Sequence, residues 1–520
     1  MKTPYQCMTR LGQGSILCAA KGTSIHTFDL DAGAEPSFLS SWTHPHSKQV
    51  GDNEPQETNL EVNEQESGQP PSKKRKLDSG EKSNGSGETN KADSVVAEAP
   101  ANGKKQKKAR PSYQQQELPF VILLAATEDG SHLVAVTGQD KSIWVFEHEG
   151  KGGLKELGQR AMPKRPSSIV ITPDGQTILS ADKFGDVYSL PLIPSSSTSL
   201  EAPESSTSTP TPAPTTTSPT PSTTTATFKP AANRLTVHSA RNLRALEEQE
   251  RILASRKDIP KDGPSFTHSL ILGHVSMLTA LTLATSSDGK PYIITGDRDE
   301  HIRVSRGVPQ AHVIEHYCLG HESFVAALCV PAARPEILVS GGGDDAVFVW
   351  DWKAGTLLRR VDVLGLVRGV LPDAGKVAVA QLCSCEVEGR CYVLVICELV
   401  PAIFVFELLP DSSLEHVQTL GLPGSPLDAT IAPKSNGTLR LVVATDPYQS
   451  TPQTGEQDNG KNTEESSLLL FERDETGSWI RQGAVPDVAD GNLSLSREEL
   501  EKALYTVGKL RKTEFDDDAE

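Results

Sequence analysis

Two stretches of this chain repeat one another, and that repetition limits the possible folds more than any other feature. Gly273-His274, LTALTLATSSDG and YIITGDRDEHIRVS, ending at Ser305, run alongside Gly320-His321, FVAALCVPAARPE and ILVSGGGDDAVFVWDW, ending at Trp352. Each unit starts Gly-His and alternates apolar and polar residues. Each then turns, runs into Ser/Thr-Gly, turns again at Asp and closes on a β-branched strand. Alternation of period two marks half-buried strands, and the Gly/Asp clusters mark tight turns. A sheet built this way is apolar on both faces and buries them only against neighbouring copies.

A Gly-His start and a Trp-Asp end in such a unit form the WD-repeat pattern. Weaker copies occupy 126–147 and 171–192, and 15–31 keeps two strands. Segments 377–409 and 426–474 bring the count to seven. Seven blades of roughly 40–45 residues need on the order of 300 residues, which fits once the polar stretches are removed. The expected fold is therefore all-β, a seven-bladed WD-repeat β-propeller. Because the first unit begins so near Met1, one blade is expected to be assembled from both ends of the chain.

Composition separates the ring from its interruptions. Residues 1–46 supply the first propeller strands, and 47–112 form a disordered insertion of mixed charge with almost no aromatic residue. Blades two and three fall in 113–194. A Ser/Thr/Pro-rich linker with a short amphipathic helix over 239–256 fills 195–265. Blades four to seven occupy 266–475. The C-terminal segment, 476–520, holds a helix announced by the capping box Ser496 and Glu499 and by Leu500, Leu504 and Val507 at helical spacing, then an acidic tail. The insertions fall between the first and second units and between the third and fourth. The longest apolar runs are far short of the roughly 18 residues that cross a bilayer. With no apolar leader at Met1, the eight cysteines are expected to be reduced in the cytosol or nucleus.

The repeat also assigns its own polar residues. His321 can bond Asp344 in the turn, and Ser340 with the Trp350 indole can extend this into a buried chain whose members must all be satisfied. In the preceding unit the same places hold His274, Thr295, Asp299 and Ser305, without the tryptophan. These residues are read as structural. No Gly-x-Ser-x-Gly elbow, His-Glu-x-x-His or paired Cys-x-x-Cys is present, and RLGQGS lacks the third glycine of a nucleotide loop. Cys383, Cys385, Cys391 and Cys397 form the densest thiol group, yet their strand positions suit small hydrophobes. No catalytic, cofactor-binding or metal residue is expected.

Two features point outward. The runs Lys73, Lys74, Arg75, Lys76 and Lys104, Lys105, Lys107, Lys108, Arg110 lie in the first insertion and read as a nuclear import address. The turn between second and third strands opens on one face of a propeller. There Lys183 and Phe184 sit beside Asp297, Arg298, Glu300, His301 and Arg303, a mixed-charge strip suited to a protein partner. Arg303, able to fork onto a carboxylate, is expected to be displayed.

Those strings, LGHVSMLTALTL, TGDRDEHIRVS, ADKFGDVYSL, LGHESFVAAL and SGGGDDAVFVWDWKAG, resemble the WD-repeat non-catalytic subunit of the eukaryotic tRNA (guanine-N7)-methyltransferase in its fungal form. DRDEHIRVS is the most specific, since ordinary WD blades carry small residues there. The resemblance implies a heterodimer with a Rossmann-type methyltransferase subunit that carries S-adenosylmethionine and methylates guanosine 46 of tRNA, the present chain acting as scaffold. It maps partner-facing positions onto Arg303 with its neighbours and onto Lys183. A rival keeps the fold but makes the chain a ubiquitin-ligase receptor or another nuclear adaptor. Against it, Trp350-Asp351-Trp352-Lys353 ends in Lys where such receptors often carry Arg.

Overall fold

β-Branched runs such as RCYVLVIC at Arg390–Cys397 and AIFVFEL at Ala402–Leu408 form strands buried on both faces. The computed structural model describes residues 3–33, 35–48, 118–193, 266–448, 466–489 and 495–512. All belong to one compact unit, Met1–Lys48 with Leu118–Glu520. Seven four-stranded sheets form in it, each antiparallel with its strands in chain order. Blade 1 spans residues 5–43, blade 2 121–161, blade 4 278–318, blade 5 325–362, blade 6 379–421 and blade 7 425–484. Blade 3 takes three strands from 166–191 and its fourth from Ser269–Gly273, so the second interruption lies inside this blade, before its outer strand. Likewise Trp479–Ala484, beyond the expected end of the ring, is the outer strand of blade 7.

First strands of successive blades lie side by side around the ring, including the first and last. Between sheets the second and third strands interdigitate. Leu394, Ile396, Ile403 and Val405 of blade 6 meet Leu441, Val443, Leu469 and Phe471 of blade 7, each such side chain contributing about 1.5–3 kcal/mol by leaving water. Polar side chains stitch the first strands together. Gln6 Nε2 donates to Val121 O at 2.9 Å, and Gln381 exchanges two bonds with Ala429, at 3.1 and 3.0 Å.

Ring closure differs from expectation: no blade mixes the two ends. Blade 1 builds all four strands from 5–43, because YQCMTR at Tyr5–Arg10, too polar to be recognised as a strand, buries Tyr5 and Met8 and turns Gln6 to its neighbours' backbone. Closure is face-to-face packing instead. Tyr5, Met8, Leu17 and Phe28 pack on Val442, Ala444, Leu468 and Leu470, and the backbone N–H of Met8 donates to Asp428 Oδ2 at 2.5 Å. Lys21 Nζ adds a 2.8 Å ion pair to Asp487.

All but the first two residues of the 47–112 insertion lie outside the described residues, as do the two basic runs, 73–76 and 104–110, and the helix expected over 239–256. The C-terminal helix forms at Arg497–Leu504, with Ser496 and Glu499 bonded reciprocally as a capping box.

Candidate partner-binding face

Buried polar networks fix the turns that display the candidate residues. In blade 5, His321 Nδ1 bonds Asp344 Oδ2 at 2.7 Å, its Nε2 bonds Ser340 Oγ at 2.7 Å, and the Trp350 indole donates to that hydroxyl at 2.8 Å. Ser340, His321 and Asp344 thus have the connectivity of a hydrolytic triad, but Ser340 is wholly buried and already accepts the indole N–H. No substrate carbonyl can reach it, so the unit works as a turn brace. Blade 2 has an equivalent that the sequence concealed. His44 bonds Asp140 at 3.2 Å, Asp140 takes the Thr137 hydroxyl, and Trp144 donates to Thr137 at 3.1 Å. Burial works against the Asp140 charge, yet the bonds from His44, Thr137 and Ser142 hold its carboxyl down to about 2.

Blade 4 departs from the expected pattern. His274 bonds Thr295 at 2.8 Å, but its acidic partner is Asp297, at 3.3 Å, not Asp299. The other Asp297 oxygen accepts the backbone N–H groups of Asp299 and His301, at 2.9 and 3.0 Å, and so shapes the turn. Burial opposes its ionisation, yet these bonds hold the Asp297 carboxyl below the usual range. Arg303 is not displayed either. It is 6% exposed, its Nε donates at 2.9 Å to the Oγ of Ser305, the residue at the register of the blade 5 tryptophan, and its Nη1 donates to Gly273 O at 2.9 Å. Alternation explains the inward aim: Arg303 pairs with Thr295 across the strands, at the register Phe348 holds opposite Ser340. Blade 3 lacks both His and Trp. Its Asp182 closes the turn by accepting the N–H groups of Phe184 and Asp186, and the buried Ser180 Oγ and Asp182 Oδ2 are left without protein partners.

Lys183, Phe184 and His301 are exposed, and Arg298 and Glu300 half-exposed, on the blade 3 and blade 4 turns. The two turns are locked to each other. His274 N donates to Gly185 O at 2.7 Å, and Arg298 N to Met277 O at 2.9 Å. Gly185 has φ +97°, and a Cβ there would stand 2.3 Å from His274 O, so only glycine permits this approach. Lys164 Nζ lies 3.9 Å from the Phe184 ring centroid and Val275 is fully exposed; neither was singled out in the sequence. The one signal was an apolar residue directly after Gly-His, where blade 5 has Glu322.

The C-terminal segment crosses the same face. Asp446, buried at the end of a second strand, accepts Arg497 at 3.1 Å and the Tyr505 hydroxyl at 2.6 Å. Glu398, just past the second strand of blade 6, accepts the N–H groups of Val507 and Gly508 at 2.8 and 2.6 Å. Arg298 Nε then donates to Leu510 O at 2.9 Å, and Lys512 pairs with Asp299 at 3.2 Å. The segment is thus a strap from blade 7 to blade 4.

All eight cysteines are free, and burial pushes the thiols of Cys385 and Cys397 up to about 12 and Cys391 to about 11. Burial raises Cys383 as well, with Asp428 adding to it. Protonated thiols in strands pack as hydrophobes. Among the described residues, no cluster of three His, Cys, Asp or Glu could hold a metal ion.

The family profile described as the tRNA methyltransferase TRM82 WD40 domain matches residues 17–471. The chain belongs to this family. Proteins named tRNA (guanine-N(7)-)-methyltransferase non-catalytic subunit are similar along its length. The one from Sclerotinia sclerotiorum is 38% identical over 99% of both chains. That of Phaeosphaeria nodorum is 39% identical over 72% of this chain and 77% of its own. That of Aspergillus fumigatus is 37% identical over 76% and 80%. The family is one of non-catalytic WD40 subunits.

Proposed function

We propose that this chain is the non-catalytic subunit of a tRNA N7-methylguanosine methyltransferase, and that it binds and stabilises a separate Rossmann-type catalytic subunit. Lys183, Phe184, Arg298, Glu300 and His301 make the contact, while Asp297 and Arg303 shape the turn from inside. The observation that carries this reading is the rigid junction of the blade 3 and blade 4 turns, which presents both charge signs around an aromatic ring. Preformed turns lose little entropy on docking and hold the partner in one conformation. S-adenosylmethionine sits on the catalytic subunit, which methylates guanosine 46 of tRNA. With a net charge of −17 on this chain, that subunit supplies most of the phosphate-binding surface. The basic runs from Lys73 to Arg110 direct the complex to the nucleus.

The test is charge reversal on the displayed residues. Lys183→Glu combined with Glu300→Lys should leave the melting temperature unchanged and reduce copurification of a methyltransferase; undiminished recovery refutes the face. Arg303→Glu tests folding instead, because that side chain is buried.

A further inference from the structure

The strap takes up carboxylates of the ring as it crosses the face. Asp446 holds Arg497 and Tyr505, Glu398 holds the N–H groups of Val507 and Gly508, and Asp299 holds Lys512. Arg511 fastens the stretch between, its Nη2 donating to Val377 O and its guanidinium standing 5.7 Å from the centroid of the Phe324 ring. The single helical turn Gly508–Leu510 is therefore anchored on both sides. From it Leu510 O accepts Arg298 Nε at 2.9 Å, so the strap sets the direction of a side chain on the blade 4 turn. Lys509, in the middle of the helical turn, is exposed and makes no hydrogen bond or ion pair among the described residues.

Charge is sorted on this part of the face. Asp182 and Asp297 are buried, Asp299 is paired with Lys512, and Asp186 accepts the Tyr188 hydroxyl at 3.4 Å. Displayed on the strap end and on the blade 3 and blade 4 turns are Lys183, Arg298 and Lys509, with Glu300 opposing them. Such a surface complements carboxylates.

We propose that the strap is part of the partner face: its end holds Arg298 in place and adds Lys509, and the two cations meet an acidic patch on the catalytic subunit. This rests on the reading of such a subunit given above. An arginine fixed before docking has less rotamer freedom to lose, and a lysine on an anchored turn arrives already placed.

The affinity of the full chain for the methyltransferase that copurifies with it tests this. Lys509→Glu should raise the dissociation constant about fivefold at low salt and less at high salt, with the melting temperature unchanged. A chain ended at Tyr505 lacks the helical turn and the acceptor for Arg298 Nε, and should bind about tenfold more weakly, whereas a chain ended at Lys512 should match the parent. Carbodiimide coupling of the complex should join Lys509 to an Asp or Glu of the methyltransferase. Parent affinity in Lys509→Glu or in the chain ended at Tyr505, while Lys183→Glu with Glu300→Lys weakens binding, would overturn the inference and leave the proposed function standing. Parent affinity in all three would remove the face itself, and the inference with it. Weaker binding by the chain ended at Lys512 would assign the effect to residues beyond the strap and overturn the inference as well.

Discussion

Asp428 makes ring closure sensitive to pH in a calculable way. It sits on the first strand of blade 7 at the seam with blade 1, accepting Met8 N at 2.5 Å and Ala429 N at 2.8 Å, with the thiols of Cys7 and Cys383 beside it. Burial, opposed by bonds from Met8, Gln381 and Ala429, raises its carboxyl from 3.8 to about 7. The folded carboxyl keeps its proton to higher pH than the unfolded one. Its contribution is therefore full below pH 4, lost as pH rises to 7, and flat above. At about 1.4 kcal/mol per pH unit, the ionised form costs at most about 4 kcal/mol, of which roughly 2–3 kcal/mol develops between pH 5 and 8. The side chain is half-buried by surface, and adjacent water reduces this to about 1–3 kcal/mol. His26 runs the opposite way: burial and Lys21 lower its imidazole to about 4, so stability falls as pH drops from 6.5 toward 4. The informative quantity is thus the difference in urea-unfolding free energy between Asp428→Asn and the parent at each pH. That difference should move in favour of the variant by about 1–3 kcal/mol between pH 5 and 8. A difference that stays flat with pH refutes the assignment of a neutral carboxyl to the seam.

His321→Leu strands Ser340 and Asp344 and should cost about 2–4 kcal/mol, read as a lower melting temperature; a loss under about 0.5 kcal/mol contradicts the buried network. Gly185→Ala places a Cβ against His274 O at positive φ and should destabilise the blade 3–4 junction by about 1–3 kcal/mol, visible as faster hydrogen exchange at His274 N. Tyr505→Phe removes the bond to Asp446. Exchange of the Val507 and Gly508 amides should accelerate while strand amides keep their protection, and uniform acceleration would show that the strap and ring melt as one.

The ring was legible because each blade must bury both faces against neighbours, and that need writes period-two alternation and turn residues into 273–305 and 320–352. What escaped has physical causes. His44 braces blade 2, yet an insertion separates it from Asp140 in the sequence, so the Gly-His signal had no blade to precede. Counting four residues on from the hydroxyl, as from Ser340 to Asp344, pointed to Asp299, but the separation that blade 4 keeps is the one between histidine and carboxylate, 23 residues in both blades, which falls on Asp297. Arg303 looked displayed because charge suggests solvent, whereas strand parity turns it inward, where it bonds Ser305 and Gly273. The first strand was hidden by the polar residues of YQCMTR, of which Gln6 bonds neighbouring backbone rather than water. The strap's helix was announced by its cap, but its path depends on Asp446 and Glu398, distant carboxylates with no signature of their own.

The central claim is that this ring supports a reaction it does not perform. Methyl transfer from labelled S-adenosylmethionine to the N7 of guanosine 46 in tRNA, measured with the purified chain alone, with its copurifying methyltransferase alone, and with the two together, addresses it directly. No transfer by this chain alone and a gain when both are present is the predicted result. Transfer by the ring alone, or a methyltransferase equally active and equally stable without it, would contradict the account.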